Sequence, residues 1–144
     1  MKRSLPRVLT PLVLLVVLVT PGRFAGLAGP LSADMIVSVP DQVLALVDRG
    51  KLIARYTIST SKFGTGDSAA SYRTPLGTLF VSAKIGDRLP PGAVIKSRIP
   101  TGEVVTVDAP GRDAIVSRVI WLRGMEEQNQ KARDRCIYIH GTPE

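Results

Sequence analysis

From residue 34 onward the chain is written in short apolar, β-branched runs separated by turn residues. Residues 35–39 (Met-Ile-Val-Ser-Val) form the first run, closed by Pro40 and Asp41, and residues 42–47 (Gln-Val-Leu-Ala-Leu-Val) form the second. Asp48-Arg49-Gly50-Lys51 then supplies a hairpin loop with a glycine to take a positive φ, and residues 52–59 return as a third strand. Ser, Gly and Asp dominate residues 60–71, which predicts a loop. Thr74-Pro75-Leu76-Gly77 fits a β-turn, with Pro second and Gly fourth. Residues 78–83, 114–122 and 136–140 predict further strands, and Pro90-Pro91-Gly92 and Pro100-Thr101-Gly102 predict loops. The polar stretch at residues 125–135 permits one or two helical turns. Many short strands with almost no helical periodicity predict a mainly β, sandwich-like domain with a short helix. The chain stops at Pro143 and Glu144, just after a strand of buried type, so the domain is expected to be incomplete at its C-terminus.

Residues 1–28 have a different pattern. A short positive start (Lys2, Arg3, Arg7) precedes residues 8–19, an apolar run broken only by Thr10 and Pro11. Small residues follow at Gly26 and Ala28. These are the parts of a secretory signal, with cleavage expected after Ala28. The run is shorter than the ~20 apolar residues that span a bilayer, and Pro11 weakens a helix further. The expected organisation is therefore a signal at residues 1–28, a short linker at 29–33 and the domain at 34–144. That places the protein outside the cytoplasmic membrane, in the periplasm or cell wall, touching a membrane only through the signal segment.

The leader also changes the reading of the charge. The 144 residues carry 19 Lys+Arg against 12 Asp+Glu, a net +7. Four of the basic residues (Lys2, Arg3, Arg7, Arg23) and none of the acids lie in residues 1–28, which leaves 15 against 12, or +3, on the domain. No basic cluster remains there, so nucleic-acid binding is not expected. One cysteine excludes an internal disulfide, and one cysteine with one histidine excludes a zinc site of the usual Cys/His kind.

Little in the chain carries chemistry. Ser59-Thr60-Ser61-Lys62 matches S-x-x-K, but an acyl-enzyme serine needs the lysine one helical turn later, and here the motif leaves a strand for a loop. Gly64-Thr65-Gly66-Asp67 is not a phosphate loop, because no G-K-[ST] follows. The remaining candidate is His140, at the end of an apolar strand with Gly141 beside it, where a fixed side chain can face a cleft. Cys136 falls on the same face by period-two alternation, but four residues at ~3.3 Å each hold it about 13 Å away, far beyond the contact a nucleophile needs with its base. Cys136 is expected to be a small buried packer, and Trp121 and Tyr138 are expected in the core.

Residues 58–67, the run Ser71-Tyr72-Arg73-Thr74-Pro75-Leu76-Gly77, residues 83–87, Pro100-Thr101-Gly102-Glu103, residues 117–124 and the closing Ile137-Tyr138-Ile139-His140-Gly141-Thr142 together resemble the L,D-transpeptidase catalytic domain in order and spacing. The resemblance spans residues 34–144. It implies a mainly β sandwich with a small helix, no metal and no cofactor. It implies attack by a cysteine thiolate on the L-to-D peptide bond after the third residue of a peptidoglycan tetrapeptide stem. D-alanine leaves, a thioester forms, and an amine of a neighbouring stem, or of an outer-membrane lipoprotein, accepts the acyl group. It assigns His140 as the general base and Gly141 as the residue whose carbonyl orients the imidazole. The family's Ser/Thr-His-Gly-Cys segment is expected about sixteen residues past the base, beyond Glu144, so these 144 residues alone are expected to be inactive. Two alternatives are a non-catalytic exported peptidoglycan-binding β-domain and an exported β-domain with no ligand.

Overall fold

A computed structural model describes residues 14–18, 33–109 and 111–143, the first of these as backbone. Nine strands run through them: β1 (Leu14–Leu18), β2 (Ala33–Ser38), β3 (Val43–Asp48), β4 (Lys51–Thr57), β5 (Gly77–Ile85), β6 (Ala93–Lys96), β7 (Ile99–Val104), β8 (Val116–Gly124) and β9 (Tyr138–Gly141). The strand order is β4-β3-β2-β1-β5-β8-β6-β7, with β9 also paired to β8. All neighbours are antiparallel except β1 and β5, which are parallel. The fold is the mainly β one that the alternation predicts. The β6–β7 hairpin forms a small second sheet, joined to β8 at the pair Val94↔Val116.

The strands follow from local chemistry where that chemistry is strong. In β2 the alternation buries Ala33, Met35 and Val37 and leaves the residues between them half-buried. Arg49 and Gly50, both at positive φ (48° and 77°), make the two-residue turn whose twist suits a hairpin, as expected. Met35, Val37, Leu44, Leu79, Leu122 and Ala132 pack as the core, with Ile120, Ile137 and Ile139 against it. Fully burying a leucine such as Leu79 is worth about 1.5–3 kcal/mol.

Two features differ from expectation. Pro100-Thr101-Gly102, expected as a loop, lies inside β7, whose six residues are all exposed. A proline is tolerated there because β7 is an edge strand with one side unpaired. The turn before it is again the positive-φ type, made by Ser97 (50°) and Arg98 (68°). The helix-permissive stretch does agree with expectation, with a single 3-10 turn, Glu127–Asn129, followed by further turns. Leu14–Leu18, inside the segment expected to be a removable leader, pairs as a strand between β2 and β5. The rest of residues 1–28, the cleavage point after Ala28 and the linker up to residue 32 lie outside the described residues. No helix among the described residues is long and apolar enough to cross a membrane.

Candidate active site

Strand β9 lies antiparallel on β8 in the register Trp121↔Tyr138, Ile120↔Ile139, Val119↔His140. Ile120 and Ile139 face the core, so alternation turns Trp121, Tyr138 and His140 to the other face. His140 is exposed there, with Nδ1 3.1 Å from the Gly141 carbonyl. A carbonyl only accepts, so in the neutral ring Nδ1 carries the proton and Nε2 keeps its lone pair. Gly141 is needed for close packing: a Cβ there would lie 2.8 Å from the Val116 carbonyl oxygen on β8.

Cys136 is not the buried packer the alternation predicted. It is exposed, with φ at 59°, in the turn that precedes β9. The left-handed backbone ends the period-two pattern, and the strand begins only at Tyr138. The Cys136 sulfur accepts a contact from Arg98 Nη1 at 3.5 Å.

Trp121 and Tyr138 also differ from expectation, because both are half-buried on the His140 face rather than in the core. Their rings meet edge to face with centroids 5.9 Å apart. The Arg98 and Arg133 guanidiniums lie 4.8 and 4.4 Å from the indole centroid. The indole Nε1 donates to the Arg133 carbonyl at 3.1 Å. Arg98 Nη1 donates to the Tyr138 hydroxyl at 3.2 Å. Partial burial pushes the Tyr138 phenol up, so it stays neutral and able to accept that bond.

Two polar anchors position the turn that leads into β9, and neither was legible in the sequence. The Asn129 side chain is fully buried; its amide donates to the Leu76 and Thr78 carbonyls, both at 2.9 Å, and its oxygen accepts from Glu126 N at 2.9 Å. Thr78 N–H donates to the Glu126 carboxylate at 2.6 Å, and that bond holds this carboxyl below its usual range. Farther along, Arg135 pairs with Asp67 in the 60–74 loop at 2.6 Å, with both side chains buried. Gly124 ends β8 against this turn, and a Cβ there would sit 1.9 Å from the Asn129 carbonyl oxygen. Gly124→Ala is therefore expected to cost about 2–3 kcal/mol through forced overpacking, read as a lower urea midpoint with an unchanged slope.

An open hollow of about 510 Å³ lies beside the same anchors, lined by Asp67, Ser68, Glu127, Gln128, Gln130 and Lys131, and not by His140. Among the described residues, no group of three or more His, Cys, Asp or Glu converges as metal ligands do. The S-x-x-K serine and lysine lie in the loop after β4 rather than on a helix.

The profile of the YkuD family, the L,D-transpeptidase catalytic domain, matches residues 32–144. The chain belongs to this L,D-transpeptidase family. No curated protein and no solved structure matches it. The family's activity is acyl transfer of the L,D-transpeptidase type on peptidoglycan, which is an extracytoplasmic polymer. In this L,D-transpeptidase domain, the histidine that the resemblance assigns as base and the glycine after it lie together at the end of β9.

Proposed function

We propose that the chain is the N-terminal part of an exported L,D-transpeptidase that acts on peptidoglycan tetrapeptide stems through a cysteine thioester. His140 is the general base and the Gly141 carbonyl orients it. The nucleophile comes from a Ser/Thr-His-Gly-Cys segment beyond Glu144. Nε2 of His140 takes the thiol proton, and the thiolate bonds to the carbonyl carbon of the third stem residue. The C–N bond to D-alanine breaks and the imidazolium returns its proton to the leaving amine. An acceptor amine, from a neighbouring stem or a lipoprotein, then attacks the thioester and releases the thiol.

The observation that supports this reading is the His140 ring, exposed on a strand with Nδ1 3.1 Å from the Gly141 carbonyl, a contact that in the neutral ring leaves the lone pair on Nε2. A base must hold an unprotonated nitrogen in a fixed orientation before it can ionise a thiol. The test uses the protein extended past residue 144. His140→Ala is expected to lower kcat/KM for stem transpeptidation by about 10²–10⁴-fold, with an unchanged circular dichroism spectrum. Full activity in that variant would refute the assignment.

One observation favours a second reading, a peptidoglycan-binding domain without chemistry. The chain's one cysteine, Cys136, lies in a turn and not beside His140 on β9. This reading predicts that the protein sediments with sacculi and that a carbapenem adds no mass to it. An adduct on a cysteine of the extended protein would exclude it.

A further inference from the structure

Arg98 and Arg133 come from distant parts of the chain and converge on one indole, at 4.8 and 4.4 Å. Arg98 sits at the tip of the β6–β7 hairpin, held by its positive-φ turn, and Arg133 sits in the turn before β9. Among the described residues, neither forms an ion pair with a carboxylate. Arg98 spends Nη1 on Tyr138 and Cys136, which leaves its other donors unused, and the Arg133 guanidinium makes no hydrogen bond among the described residues. Two like charges over one ring repel each other, and an anion shared between them turns that repulsion into attraction. A guanidinium over an aromatic ring still carries N–H donors in a planar fork, the group that grips a carboxylate.

The patch lies on the His140 face. Trp121 is directly opposite Tyr138, and Tyr138 is two residues from His140 on the same strand, a step of ~7 Å. In the donor stem, the C-terminal carboxylate belongs to the residue just past the scissile bond, whose Cα lies ~3.8 Å beyond the preceding one. A stem lying along β9 with its scissile bond beside His140 and its C-terminus towards Tyr138 directs that carboxylate towards the arginine pair, whose long side chains extend over this face. We propose that Arg98 and Arg133, both lying against the Trp121 ring, form the subsite for the C-terminal carboxylate of the donor stem. This rests on the stem-peptide reading above. The two arginines are positioning and specificity residues; His140 does the proton transfer.

Trp121 is the chain's one tryptophan, so its emission reports the patch alone. The 144-residue chain is titrated with a tetrapeptide stem ending in D-alanine, with the same stem as its C-terminal amide, and with N-acetyl-D-alanine and its amide as minimal probes. The free-acid stem is expected to shift the emission saturably and to bind about tenfold more tightly than the amide. N-acetyl-D-alanine is expected to keep that preference over its amide. Arg98→Met and Arg133→Met, both at exposed positions, should each abolish the preference while leaving the circular dichroism unchanged. Free-acid and amide stems binding alike would overturn the subsite and leave the stem reading standing. N-acetyl-D-alanine bound in preference to its amide, with neither stem bound, would keep the subsite and overturn the stem reading. No response to either free acid would overturn the inference.

Discussion

A chain that starts at residue 29 is expected to melt well below the full chain and to self-associate. Among the described residues, strand β1 is the sole link in the sheet between the β2–β3–β4 meander and β5, through five facing pairs with β2 and four with β5. Deleting it leaves two strands with unpaired backbone along one side. β2 cannot simply close on β5. That would move the whole meander by one strand spacing, ~4.8 Å, against the core packing of Met35 and Val37 with Leu79 and Leu122. Each lost backbone hydrogen bond removes about 0.5–1.5 kcal/mol net, so the loss amounts to several kcal/mol, a large share of a small domain's stability. Exposed edges then pair between molecules. Urea melts and light scattering of the full and shortened chains measure both effects, and equal midpoints with two monomers would show that β1 contributes nothing. The consequence reaches function. If export removes residues 1–28, the slot between β2 and β5 must be refilled by another strand for this sheet to persist.

The sequence is most readable where local chemistry decides the structure. β2, β3 and β4 show clear runs of β type, and Arg49-Gly50 is a turn that few other conformations satisfy. β7 hides because an edge strand with every residue exposed has no alternation to display, and its proline suggests a loop. β1 hides for the opposite reason, since an unbroken apolar run carries no period and its strand state depends on a slot made by β2 and β5, far along the chain. His140 stood out at the end of an apolar run beside a glycine. Alternation misplaces Cys136 because it is carried two residues past the start of β9 at Tyr138, onto a residue of positive φ. Trp121 is as apolar as a core residue, and nothing near it in the sequence announces the two arginines that hold it at the surface. The Asp67–Arg135 pair spans 68 residues, and no window of local pattern reaches that far.

Removing that pair one partner at a time should produce the largest point-mutant effect outside the apolar core. Arg135 bonds the Asp67 carboxylate at 2.6 Å, the Gly66 carbonyl at 3.1 Å and the Arg73 carbonyl at 2.6 Å. Asp67 also accepts Lys131 N–H at 2.7 Å. Side-chain exposures of 7% and 8% mean that neither charge can recover its hydration if the other is lost. Arg135→Met is therefore expected to destabilise the domain by about 3–5 kcal/mol, because it strands a buried carboxylate and two carbonyls. Asp67→Asn removes one charge but keeps an acceptor, and should cost less. Adding Asp67→Asn to Arg135→Met should recover part of the loss, because the buried charge then disappears with its partner. Urea melts of the three variants form a double-mutant cycle, and strictly additive costs would mean that the pair carries no coupling. The cycle also bears on the site, since Arg135 lies one residue before Cys136 and three before Tyr138, where β9 begins. With the 60–74 loop released, Arg133 and the strand carrying His140 lose the anchor that fixes their approach to β8. In the extended protein, Arg135→Met should then lower kcat even at temperatures where the variant is still folded.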